Sequence, residues 1–174
     1  FHLLAKPLPP EWALGAVFYQ IFPDRVRQGR PELAPKEGAW LYGGRPIRKK
    51  AWHEPPGEDG AREFYGGDLF GVLEALPYLE ALGVEALYLT PIFQSPSSHR
   101  YDTEDYHRVD PHLGGEEALR ALYEALEARG MKLILDGVFN HVGATHPWFQ
   151  KALKDPSSPE RGMFTFYPDG SYAS

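Results

Sequence analysis

Apolar residues along this chain fall into runs of two different periods. Ala16-Val17-Phe18-Tyr19-Gln20-Ile21-Phe22 is a short β-branched and aromatic run stopped by Pro23, which predicts a strand. After Gly66-Gly67-Asp68, apolar residues recur at Leu69, Val72, Leu73, Leu76, Leu79 and Leu82. That spacing is helical, with Asp68 as a suitable N-cap and Gly83 as a stop. Pro77 is expected to kink or break this helix in its middle, because it lacks an interior N–H. Val84-Glu85-Ala86-Leu87-Tyr88-Leu89-Thr90, ended by Pro91, predicts a second strand. Leu119, Leu122, Tyr123 and Leu126 mark a second amphipathic helix closed by Gly130. Met131-Lys132-Leu133-Ile134-Leu135 is a near-continuous apolar run, suited to a strand buried on both faces.

The stretches between these elements are long. Residues 23–65 show no sustained period and carry Pro31, Pro35, Pro46, Pro55 and Pro56. Such a stretch is either a disordered insertion or a functional loop; Trp40, Tyr42, Trp52 and Phe64 favour an ordered loop that packs on something. Residues 91–115 read as a loop rich in Ser, Pro, His and Tyr. Residues 1–15, with Pro7, Pro9 and Pro10, read as a linker from an upstream region. From Gly143 onward no element is legible, and His146-Pro147-Trp148-Phe149 begins a further excursion.

Strands alternating with helices imply parallel βαβ units with right-handed crossovers. A complete (β/α)8 barrel needs roughly 250 residues. The 174 residues here supply the first three strands and two helices. The expected fold class is therefore α/β, a partial (β/α)8 TIM barrel over residues 16–143. In such barrels the loops after strand C-termini build the active site.

Composition narrows the chemistry. With 18 Lys and Arg against 24 Asp and Glu, the net charge is −6 and there is no basic block. Nucleic acid and anionic membranes are thus poor partners. The absence of Cys removes disulfides, thiol nucleophiles and Cys-based zinc sites together. No apolar run approaches the roughly 18 residues of a membrane span, and Phe1-His2-Leu3-Leu4-Ala5-Lys6-Pro7 is no secretory signal. The many Pro with no Cys suit a thermophile, and the expected setting is cytoplasmic.

Two polar clusters follow strand ends: His99-Arg100-Tyr101-Asp102-Thr103-Glu104-Asp105-Tyr106-His107 and Asp136-Gly137-Val138-Phe139-Asn140-His141. His99, His107, His112, His141 and His146 form no His-x-x-x-His pair, so no zinc site is expected. The paired glycines at 43–44, 66–67 and 114–115 make no phosphate-binding loop, and no Ser sits in G-x-S-x-G. Asp136 follows directly on the most apolar strand, where a carboxylate is costly without partners. It reads either as a functional group or as a cap within the scaffold. His141 likewise reads as a ligand contact or a packed histidine. Sugars offer a hydroxyl rim and apolar faces, so their sites pair hydrogen-bonding groups with aromatic rings. Tyr101 beside Asp102 supplies both, unless Tyr101 merely packs in the core.

Asp136-Gly137-Val138-Phe139-Asn140-His141 resembles the first signature of the α-amylase family, which closes the third barrel strand. Val17–Arg25 resembles that family's first strand. Phe64–Leu69, Tyr88–Phe93 and His99–Tyr106 resemble its branch of neopullulanases, cyclomaltodextrinases and maltodextrin glucosidases. The resemblance implies a retaining hydrolase of α-1,4, and in some members α-1,6, glucosidic bonds in maltodextrins, cyclodextrins or pullulan. It implies that His141 donates to the C6 hydroxyl of the glucose at the cleavage subsite and that Tyr101 stacks beneath that ring. Asp136 would orient an arginine on the next strand, Asn140 would hold the loop in shape, and Asp102 would form a polar wall. Residues 144–174 would begin a domain inserted after the third strand, and an upstream β-domain would make a homodimer.

The resemblance also implies an absence. Retaining glycosidases need two carboxyl groups about 5–5.5 Å apart, and in this family they follow the fourth and later strands. No catalytic residue is therefore expected in this segment. A binding or regulatory protein on the same barrel is the alternative, and an Asp after the fourth strand with a Glu after the fifth would discriminate. Members of the branch often bind calcium in the loop after the first strand. Here Val26-Arg27-Gln28-Gly29-Arg30-Pro31-Glu32-Leu33 places basic residues where oxygen ligands belong. Calcium takes six to eight oxygens, so no metal or other cofactor is expected.

Overall fold

The computed structural model describes residues 9–172. Three parallel strands form the central sheet in the order β1 (Phe18–Ile21), β2 (Ala86–Leu89) and β3 (Lys132–Leu135). Helix α1 (Leu69–Ala81) joins the first pair and α2 (Gly115–Glu127) the second. Each chain crossover therefore returns to the neighbouring strand, as a barrel under construction requires. Register is strict: Ile21, Leu89 and Leu135 lie side by side, as do Gln20, Tyr88 and Ile134.

One core holds these units together. Ile21, Leu87 and Leu89 pack with Leu69, Val72, Leu76 and Leu79 of α1 and with Ala118, Leu122 and Leu126 of α2. Side chains alternate across a strand, so the helices cover the face carrying Leu87 and Leu89. Tyr88 points to the other face. The start of α1 is fixed as the sequence implied, since Asp68 accepts from the Gly71 N–H at 2.7 Å.

Four features depart from the sequence expectations. First, α1 runs through Pro77 without ending. The ring lies on the exposed side while Leu76 and Leu79 are buried on either side of it, so core packing holds the helix together. Second, β3 is not buried on both faces, and Leu135 is 38% exposed. Among the described residues it has β2 as its one strand neighbour. Third, residues 91–115 are more than loop, because Phe93–Gln94 pairs antiparallel with Asp105–Val109. Fourth, residues 147–154 form α3 (Pro147–Lys154), with Pro at its first position and His146 accepting from the Trp148 N–H at 3.1 Å.

The long 23–65 loop is ordered by aromatic contacts. Trp40 meets Phe64 edge-on with centroids 5.3 Å apart, and its indole N–H donates to the Pro96 carbonyl at 2.8 Å. Of the expected 1–15 linker, residues 1–8 lie outside the described residues, and Glu11–Ala13 form a single tight turn. No helix among the described residues is long and apolar enough to cross a membrane.

Pro77 leaves the Leu73 carbonyl without its helical donor. Pro77→Ala is expected to stabilise the full-length protein by about 1–2 kcal/mol, less the entropy that proline removes from the unfolded chain. Urea denaturation measures it, and an unchanged or lower midpoint would refute this account of α1.

Candidate functional site

Parallel register brings the three strands to an end at one level, and the polar clusters emerge there. The Tyr88 hydroxyl donates to Asp136 Oδ2 at 2.6 Å. The Asp136 N–H donates to the Leu89 carbonyl at 3.2 Å, extending the ladder one step past β3. The Tyr88–Asp136 side-chain hydrogen bond, ahead of burial, pushes the Tyr88 hydroxyl up to about 12. Burial first, and then hydrogen bonding to Asp136, raises the Tyr101 hydroxyl as well. Asp136 thus holds the Tyr88 hydroxyl, and Tyr101 is 37% exposed. Sequence reading singled out Asp136 and Tyr101 but passed over Tyr88, which looked like an ordinary strand aromatic. The available signal was its parity: the core residues Leu87 and Leu89 flank it, so it must face the other way.

Tyr101 is aimed by its neighbour. Arg100 adopts φ 60°, in the left-handed region that non-glycine residues rarely occupy. Its side chain is nevertheless 1% exposed, with Nε donating to Asp110 Oδ2 at 2.7 Å and Nη1 to the Ser98 carbonyl at 2.8 Å. The buried ion pair fixes the sharp turn, and the turn carries His99 and Tyr101 outward. Asp102 is bound within its own loop, accepting from Ser95 Oγ at 2.7 Å and from Ser97 Oγ. Burial and the adjacent Asp102 carboxylate push the Tyr42 hydroxyl up to about 12.

His141 is exposed beside the same strand ends. Its loop is held by Tyr106, whose hydroxyl donates to the carbonyls of Val138 and His141, and by the Gly143 N–H on the Thr103 carbonyl at 2.9 Å. The Asn140 side chain is exposed and makes no hydrogen bond to the described residues. Asn140 and His141 line a cavity of about 370 Å³ with Phe139, Trp148, Met163 and Phe164.

The Gly66-Gly67-Asp68 turn does not fit calcium. Asp68 Oδ2 accepts from the Gly29 and Arg30 N–H groups at 3.0 and 2.8 Å, and Oδ1 is spent on α1. Asp24 accepts from the N–H groups of Tyr65 and Gly66 at 2.9 and 3.1 Å. Burial raises the Asp24 carboxyl, outweighing nearby Arg100 and both backbone donors. The Lys49 ammonium donates to the Tyr65 carbonyl, so a cation of the chain's own already uses that oxygen. Among the described residues no group of three or more His, Asp or Glu is placed to hold a metal.

The α-amylase catalytic domain matches this chain over residues 20–171. The chain belongs to that family. It is 45% identical over 146 residues to the intracellular maltogenic amylase of Bacillus subtilis, covering 84% of this chain and 23% of that one. Neopullulanase 2 of Thermoactinomyces vulgaris is 49% identical, with 83% and 23% covered. Among solved structures, the cyclic α-maltosyl-(1→6)-maltose hydrolase of Arthrobacter globiformis superposes with a TM-score of 0.79 at 37% identity, over 90% of this chain and 33% of that one. The chain thus spans about a quarter of the length of the curated relatives it matches, and its sheet is part of a TIM barrel of the α-amylase type.

Two histidines of this α-amylase segment serve as backbone acceptors. His99 Nδ1 lies 3.1 Å from the Tyr101 N–H, and His146 Nδ1 lies 3.1 Å from the Trp148 N–H. Each contact requires an unprotonated Nδ1. Burial, the largest cause at both, lowers their pKa below the ordinary 6.5. The unfolded chain therefore takes up these protons first, and stability falls as pH drops from about 7 through the folded values. His99→Asn with His146→Asn, which keeps an acceptor oxygen, is expected to flatten the decline in Tm between about pH 7 and pH 5. A double variant as acid-sensitive as the wild type would contradict this.

Proposed function

We propose that this segment is the floor of the sugar site in a retaining α-glucan hydrolase. Its substrates are maltodextrins, cyclodextrins or pullulan, cleaved at α-1,4 bonds, with α-1,6 bonds a second class. The observation that carries this reading is the Tyr88–Asp136 hydrogen bond at the strand ends of an α-amylase-family sheet, with the exposed Tyr101 on the loop after β2. His141 stands exposed on the next loop. An aromatic face with hydrogen-bonding groups around it matches a glucose ring, whose apolar C–H faces are rimmed by hydroxyls.

In this reading Tyr101 stacks beneath the ring at the cleavage subsite. His141 donates to its C6 hydroxyl, and Asp136 adds an arginine from the following strand to its partners. Asp102 supports the wall through the Ser95–Ser97 loop. Asn140 supports the His141 loop from its exposed side. The nucleophile and the acid come from strands beyond β3, so this segment by itself performs no hydrolysis. The names of the relatives support the substrate class: maltogenic amylase, neopullulanase and a maltosyl-maltose hydrolase. The word intracellular in the first of these supports a cytoplasmic setting.

Residues 16–143 are then the first part of the catalytic barrel, entered from a linker over 1–15. Residues 144–174 begin a domain inserted after β3. In support, the chain past Gly143 packs on itself, Phe149 meeting Phe164 and Tyr172 edge-on at 5.1 and 4.9 Å. The exposed flanks of β1 and β3, where Phe18 is 45% and Leu135 38% exposed, are the edges that further strands would cover.

His141→Ala and Tyr101→Ala in the full-length protein are expected to lower turnover roughly ten- to a hundredfold with little change in Tm. Both side chains are exposed, so truncation opens no core cavity, while a hydrogen bond gained in the transition state is lost from kcat. Steady-state kinetics on maltotriose test this. Wild-type turnover in both variants would remove these residues from the site, and a full-length wild type that hydrolyses no α-glucan would favour a binding protein.

A further inference from the structure

Tyr88 occupies a position that neither packing nor strand pairing explains. Its neighbours Leu87 and Leu89 are fully buried beneath the helices, whereas Tyr88 lies on the opposite face beside Gln20 and Ile134. A phenylalanine or leucine would serve that row equally well as an apolar filler. The hydroxyl is what the site uses. It reaches Asp136 Oδ2 at 2.6 Å, two residues beyond Ile134 on the same face of β3. A neutral donor on a carboxylate makes a short, charge-assisted hydrogen bond and leaves the charge on the acid.

Asp136 lies just past the end of β3, whose outer edge is unpaired among the described residues. A group at such an edge loses conformational freedom when a ligand orders it, unless something orders it beforehand. Tyr88 comes from the middle strand of the sheet, which is hydrogen-bonded on both sides, so it is the stiffer of the two.

We propose that Tyr88 is a positioning residue: its hydroxyl fixes the Asp136 carboxylate before sugar binds. This rests on the functional reading given above and deepens it, since it assigns the readiness of the sugar platform to a hydroxyl that itself touches no sugar. Tyr88 acts on the reaction only through Asp136.

The test is a double-mutant cycle in the full-length protein with maltotriose as substrate. Tyr88→Phe removes one oxygen and preserves the ring, and it is expected to lower kcat/KM about tenfold with Tm held within a few degrees. Asp136→Asn is expected to cost more. Adding Tyr88→Phe to Asp136→Asn is then expected to cost less than about threefold, because the hydroxyl has lost the charge through which it acts. Wild-type kcat/KM in Tyr88→Phe overturns the proposal. So does a tenfold loss that multiplies undiminished onto Asp136→Asn, which would make Tyr88 independent of the carboxylate. A loss of activity matched by a large fall in Tm also overturns it, since the hydroxyl would then be structural. An inactive wild type overturns this proposal and the functional reading together, whereas an active wild type with an unaffected Tyr88→Phe overturns this one alone.

Discussion

The Arg100–Asp110 ion pair is the constraint on which the rest of the site depends. Two opposite charges are buried almost completely, a costly arrangement unless the geometry is good and the remaining polar atoms are satisfied. Both conditions are met. Arg100 also donates to the Ser98 carbonyl, and Asp110 also accepts from the His112 N–H while its backbone oxygen accepts from Leu113 and Gly115. The pair therefore ties the turn before Tyr101 to the turn that launches α2. Removing either partner would leave an uncompensated buried charge, which typically costs about 3–5 kcal/mol. It would also release the left-handed turn at Arg100 that no local preference maintains.

From that anchor the site is assembled by register. Parallel pairing in step places the ends of β1, β2 and β3 at one level, so residues far apart in the chain meet without any local signal. Tyr88 and Asp136 are separated by 48 positions yet hydrogen-bond because their strands are adjacent and their parities match. The same loops spend other carboxylates on backbone N–H groups, as Asp24 and Asp68 do. Those residues hold shape. Asp136 differs because its side-chain partner is a hydroxyl, that of Tyr88, on the adjacent strand.

Much of this was legible in the sequence. Helix α1 begins at the N-cap that Asp68 announced, and each strand lies within the apolar run that predicted it. Membership of the α-amylase family followed from the order of several short segments, and the match over residues 20–171 agrees with it. These succeed because periodicity, capping and strand-ending prolines are local, and local rules act on neighbours in the chain. Where tertiary packing overrides a local rule, the break that the rule allows does not occur. Pro77 stays in its helix because the buried leucines around it are worth more to the fold than one missing donor.

What the sequence alone determined is therefore the order of elements, the family and the short list of polar residues at strand ends. Which of those residues meet was decided only by the tertiary structure. Tyr88 became part of the site because the sheet turned it away from the helices and put Asp136 within reach. Asp102 is held within its own loop by the hydroxyls of Ser95 and Ser97. Tyr106 came to hold the His141 loop because the antiparallel pairing of Phe93–Gln94 with Asp105–Val109 brought its hydroxyl under that backbone. The physical reason is the same in each case. A hydrogen bond is decided by distance and direction in space, and neither a neighbouring position nor the 48 positions between Tyr88 and Asp136 reveals that distance in the sequence.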